Sequence, residues 1–149
     1  MSLQNLLKIG QLKAHPPDAG EIRRLLVAAA RNLADARVTT ISPETRFDAA
    51  YKAVMQAALA ALMAHGYRPD TNRPGHHATV VQGLTLTVAL APARVTVLDT
   101  LRRKRNLSDY TGEDIDDSSV EQCIAEADQL LQDVTAWLKV HKPHLIPLR

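Results

Sequence analysis

The chain has 149 residues, 46% of them hydrophobic but only 3% aromatic, with a formal charge of +2. That length suits one domain with a core of Leu, Val, Ile and Ala, and the near-neutral charge argues against a general nucleic-acid coat while allowing a local basic patch. A single cysteine, Cys123, excludes an internal disulfide and a C-x-x-C metal framework, and no apolar run approaches the roughly 18 residues of a membrane helix.

The N-terminal residues lack a charged segment followed by an apolar stretch and a cleavage site, so no signal peptide is expected. With the lone cysteine, this points to the reducing cytoplasm and to no membrane attachment. Small core side chains let helices approach closely, which favours a tight bundle over a large apolar cavity. The expected fold is all-α, an antiparallel, up-and-down helical bundle of about four long helices plus short ones.

Residues 1–17 read as an N-terminal helical arm. Ser2 is a candidate N-cap, Leu3, Leu6 and Leu7 form a sticky side, and His15-Pro16-Pro17 ends a helix predicted to reach about Ala14. Residues 18–141 form the bundle. Asp18 opens a helix with Ile22, Leu25, Leu26, Ala29 and Leu33 at core spacing, and Arg23, Arg24 and Arg31 face water. Ser42-Pro43-Glu44 is a strong helix start, and the helix runs to about His65 with Phe47, Ala50, Tyr51, Val54, Ala58 and Leu62 as its stripe.

Tyr67 to Gly75 reads as a loop, since two prolines and a glycine oppose regular structure. A helix is predicted to start at His76-His77 and continue through Ala78 to Leu90, although Leu84 to Val88 also alternates with period two. Another runs from about Ala93 to Tyr110, and an acidic loop follows. Ser118, with Glu121 three residues on, gives a capping-box start to the last long helix. Its stripe is Val120, Cys123, Ile124, Ala127, Leu131, Val134, Trp137 and Leu138. Residues 142–149 form a C-terminal tail.

The helix ending at Tyr110 carries the chemistry. Val97, Leu98 and Leu101 share one face, and the next residue on that face is Arg105. A guanidinium on a core stripe is costly unless paired. Either the helix leaves the core at Arg105, or Arg105 lines a polar cleft. Asp109 lies one turn on and can pair with it. Asn106 and Tyr110 lie on the adjacent side, near Arg103.

Leu101-Arg102-Arg103-x-Arg105-Asn106-x-x-x-Tyr110 resembles the signature helix of the HEPN superfamily (higher eukaryotes and prokaryotes nucleotide-binding domains). Arg46-Phe47-Asp48-Ala49-Ala50-Tyr51, Gly66-Tyr67-Arg68-Pro69 and Gly75-His76-His77 extend the resemblance over roughly residues 20 to 140. It implies a helical, often homodimeric protein acting on RNA or a nucleotide. A toxin–antitoxin or defence setting with a nucleotidyltransferase partner follows from the same likeness. It implies no cofactor, and catalysis, where present, as a metal-independent RNase. Arg105 would hold phosphate, Asn106 would orient it or the attacking hydroxyl, and Tyr110 would donate to an oxygen. Arg102, Arg103, Asp109, Arg46 and Tyr51 would support binding.

The family motif places a His beyond the Arg, and none follows on this helix: position 109 is Asp, 110 Tyr, 111 Thr and 112 Gly. Tyr110 takes the approximate place of that His, but a phenol of pKa ~10 is a poor base near neutral pH. A non-catalytic dimeric helical module with a degenerate motif is therefore the alternative.

His76 and His77 stand at a predicted helix start. Adjacent residues there point about 100° apart, so no metal site is assigned to them. One reading has one His packing or capping and the other meeting solvent. The other has one of them supplied through space to Arg105, with a lowered pKa suited to a base.

Overall fold

The computed structural model describes residues 1–146. Its elements in order are α1 (Leu3–Lys8), β1 (Leu12–Ala14), α2 (Ala19–Ala36), α3 (Pro43–Ala64), β2 (Tyr67–Pro69), α4 (His76–Gln82), α5 (Leu84–Thr87), α6 (Pro92–Thr111) and α7 (Asp117–His141), then a 3₁₀ turn at Pro143–Leu145. The fold is all-α, with one two-stranded sheet as its exception.

The core is organised on α3. Ser42 caps it, its Oγ accepting the Thr45 N–H at 3.1 Å, and Pro43 occupies the first turn. Ala53, Ala57, Ala60, Ala61 and Ala64 are buried together with Phe47, Tyr51 and Val54, so the helix is enclosed on nearly every side. α2 and α7 pack on it and also meet each other, while α4, α5 and α6 pack against α3 and each other. Asp18 starts α2 by accepting the Glu21 N–H at 3.0 Å. α7 buries Val120, Cys123, Ile124, Ala127, Leu130, Val134 and Leu138. Leu130 takes the centre of that stripe, and the expected Leu131 and Trp137 sit half-buried at its edge.

The expected N-terminal helix stops at Lys8, well short of Ala14. Gly10 adopts a φ of +80°, reverses the chain, and lets β1 pair antiparallel with β2. The segment expected to be an irregular loop from Tyr67 therefore begins as a strand. Pro69 is tolerated because it is the terminal residue of its strand, opposite Leu12. Leu6 and Leu12 are buried while Leu7 is exposed, so the sticky side of the arm is narrower than its sequence suggests.

The helix expected from His76-His77 through Leu90 does begin at His76, but it divides at Gly83 into α4 and α5. It ends at Thr87, before Ala89 takes a φ of 55°. The predicted capping box at Ser118 is replaced by Asp116, whose carboxylate accepts from the hydroxyls of Ser118 and Ser119. These bonds hold the Asp116 carboxyl well below the usual carboxylate range, with Lys104 adding a further contact. Glu121 is thereby free to meet Arg46 instead. Part of the predicted tail forms the 3₁₀ turn, which buries Leu145. The remainder, 147–149, lies outside the described residues. Among the described residues no helix is long and apolar enough to cross a membrane.

Candidate functional site

α6 starts as an ordinary core helix, with Leu98 and Leu101 buried. One turn after Leu101 its face rises to the edge of α3, and Arg105 is half-buried there. Its Nε lies 3.2 Å from Asp48 Oδ1 and 3.1 Å from Asp109 Oδ2. Its Cζ stands 5.3 Å from the centroid of the Tyr51 ring. Two carboxylates and an aromatic face thus offset the cost of partly desolvating the guanidinium. Both carboxylates approach at Nε, and among the described residues no hydrogen bond engages its Nη groups.

Beside it, Arg102 donates from Nε to Asp99 Oδ1 at 2.8 Å, and Arg103 reaches the other oxygen of Asp99 at 3.1 Å. Arg102 is mostly buried, whereas Arg103 extends into solvent. Gly75, at a φ of +77°, turns the chain into α4 and brings His76 and His77 against this basic end of α6. The result is a cleft of about 220 Å³ lined by Gly75, His76, His77, Ala78, Arg102, Arg105, Asn106 and Tyr110.

The His77 ring lies 6.3 Å from that of Tyr51 and meets His76 edge-on at 4.6 Å between centroids. Burial is the main cause that lowers the His77 pKa, followed by the charges of His76, Arg105 and Arg102. The expected direction is therefore found, but its first cause is desolvation, with the neighbouring cations second. Tyr51 beneath is pushed up to about 12, chiefly by burial, so its phenol is neutral. Its hydroxyl is buried and has no hydrogen-bond partner among the described residues.

Of the candidate residues, Arg102, Arg105, Asn106, Tyr110, His76 and His77 meet in one cleft, with Tyr51 under Arg105 and Asp109 beside it. Arg103 lies at the outer face. Tyr110 is at the mouth and 86% exposed. Arg46 is elsewhere: its Nε donates to the Ala36 carbonyl at 2.8 Å and its Nη2 to Glu121 at 3.4 Å. It lies one turn and more before Tyr51 on α3 and turns toward α2 and α7. Arg46 is therefore a clamp between helices and does not reach the cleft.

Asp48 and Asp99 were not among the candidates. Asp48 sits three residues before Tyr51, so a Tyr51 that reaches α6 carries Asp48 with it on the same face of α3. Asp99 sits three and four residues before Arg102 and Arg103, which is ordinary ion-pair spacing. Among the described residues no group of three or more His, Cys, Asp or Glu side chains is placed to hold a metal ion. Cys123 is buried in the core, with its thiol pushed up to about 12 by burial, and so packs as a small apolar residue. Compared with known proteins, the chain matches no family model and no curated sequence.

Proposed function

We propose that this is a HEPN-like protein that binds RNA or a nucleotide in the cleft between α4 and α6. The observation that carries the reading is the meeting of His76 and His77 with Arg102, Arg105 and Asn106, from segments about 25 residues apart in the chain. Arginines suit phosphate because their planar fork can donate two parallel hydrogen bonds. His77, poised neutral, supplies the base that α6 lacks.

The chemistry this arrangement would support is metal-independent RNA cleavage. His77 takes the proton of a ribose 2′-hydroxyl, whose oxygen attacks the adjacent phosphorus. The bond from phosphorus to O5′ breaks, O5′ takes a proton from solvent, and a 2′,3′-cyclic phosphate remains. Arg105 and Arg102 stabilise the charge on phosphorus, Asn106 orients the phosphate, and Tyr110 donates to an oxygen at the mouth. A homodimer placing two clefts together belongs to the same reading, as does a nucleotidyltransferase partner in a toxin–antitoxin or defence system.

The test is cleavage of single-stranded RNA in the presence of a chelator. Wild type is expected to release cyclic-phosphate ends, and Arg105→Ala and His77→Ala are each expected to lower the rate about 100-fold. Cleavage by Arg105→Ala at the wild-type rate would exclude Arg105 from the chemistry.

A second reading, a non-catalytic dimeric helical module, draws on the two carboxylates already at Arg105. Here Asp48 and Asp109 make that arginine a staple between α3 and α6. Asp48→Asn separates the two. The RNA reading expects tighter RNA binding once a competing carboxylate is neutralised. The staple reading expects lower stability and no RNA effect.

A further inference from the structure

A second hollow, also about 220 Å³, lies on the other side of the histidine pair. Met55 and Leu59 of α3, Pro69 of β2 and Val80 of α4 give it apolar walls, and Thr71 stands at its exposed rim. His76 and His77 line both this hollow and the arginine cleft. The polar groups facing it are Gln56, Thr71 and the two imidazoles. The Oε1 of Gln56 accepts from Asn32 Nδ2 at 2.7 Å. That bond sets the amide's orientation and leaves its NH₂ as a donor.

The two spaces differ in what they favour. A free inorganic anion would use the arginine side alone. A wholly apolar ligand would use the hollow alone and gain nothing from Arg102 and Arg105. A flat, weakly polar ring joined through a sugar to a phosphate would use both, with the imidazole rings available for stacking beside it. Each space is smaller than the roughly 300–1,000 Å³ usual for small-molecule sites, and the pair together falls within it.

We infer that the arginine cleft and the apolar hollow are two halves of one nucleoside-phosphate site, with phosphate at Arg102 and Arg105 and the base between Met55, Leu59 and Val80. The inference rests on the RNA or nucleotide reading above and adds to it the seat of the base. Gln56, donating from its NH₂ into the hollow, is the group that discriminates one base from another.

The experiment is calorimetric titration of the full chain with the four ribonucleoside 5′-monophosphates, their nucleosides, ribose 5-phosphate, inorganic phosphate and a tetraribonucleotide. At least one monophosphate is expected to bind about tenfold more tightly than both ribose 5-phosphate and its own nucleoside. Thr71→Trp, which fills the hollow from its exposed rim, is expected to weaken that monophosphate about tenfold, with the thermal midpoint as the check on folding. Gln56→Leu is the second probe and is expected to level the differences among the four bases. A tetraribonucleotide tighter than the monophosphate marks RNA as the source, and the reverse marks a free nucleotide; both support the base seat. A monophosphate no tighter than ribose 5-phosphate overturns the base seat and leaves the phosphate cleft intact. Wild-type affinity and base preference in folded Thr71→Trp and Gln56→Leu would overturn it too. Failure of every phosphate-bearing probe to bind would sink the RNA reading itself and this inference with it.

Discussion

Tyr51 is 2% exposed, and its hydroxyl has no hydrogen-bond partner among the described residues. Its ring is what the fold uses, as a floor for Arg105. Removing an unsatisfied buried hydroxyl should cost nothing and relieve a desolvation penalty. Tyr51→Phe is therefore expected to hold or raise stability by up to about 1 kcal/mol in urea unfolding. The sign with pH is also fixed. The unfolded phenol ionises near 10.0, and the folded one resists to about 12. Wild type should therefore lose stability relative to Tyr51→Phe as pH rises through that window, and the two should run parallel below it.

His77 works in the opposite sense. Its folded pKa lies below the model-peptide value of 6.5, so the unfolded chain gains a proton first as pH falls. Its contribution to stability is complete above that value and declines below it. A ring titration by NMR is expected to give a midpoint under 6.5, rising only partway in Arg105→Gln because burial, not Arg105, is the larger cause. A midpoint at or above the model-peptide value would remove His77 as a base poised neutral by its surroundings.

At the scale of elements, Arg46 shows how one side chain joins three helices. It is 8% exposed, holds the last carbonyl of α2 from the first turn of α3, and reaches α7 through Glu121. The helix-end carbonyl has no next turn to bond, so the arginine supplies the missing donor. Glu121 is mostly solvated, and an exposed ion pair contributes little. Arg46→Ala is expected to destabilise by roughly 2–4 kcal/mol, because it strands a buried carbonyl and opens a cavity, while Glu121→Gln should cost under about 0.5 kcal/mol. Equal losses in urea unfolding would mean that the ion pair, not the carbonyl bond, holds the helices. Gly10 and Gly83 act at the same scale. One turns the arm back into a strand, and the other divides the segment after the loop, so the chain reaches α6 in the position that forms the cleft.

At the scale of the whole molecule, the outer face of α6 stands out. Arg103, Leu107 and Tyr110 fall at helical spacing, and Leu107 and Tyr110 are exposed large hydrophobic residues. The proposed homodimer would bury this face and set two clefts mouth to mouth. Light scattering at micromolar concentration is expected to give twice the chain mass, and Leu107→Glu to shift it to one chain. A wild-type protein of single-chain mass would remove the dimer and leave each cleft to act alone.

The sequence by itself determined the all-α class, the caps at Ser2, Asp18 and Ser42, the core stripe of α3, most of that of α7 and the odd placement of Arg105. These follow from helical period and capping chemistry, which act over a few residues. The small sheet stayed hidden because each strand is three residues long and neither is a strand without the other. Only the tertiary structure decided which partners the polar groups take. Arg105 meets Asp48 from 57 positions away, His77 arrives from a turn set by Gly75, and Arg46 leaves for Ala36 and Glu121. Arg46 and Tyr51 look alike in the sequence as residues near one end of α3. Their five-residue separation rotates them about 140° apart on that helix, toward different neighbours, and which neighbour stands where is a property of the packed molecule.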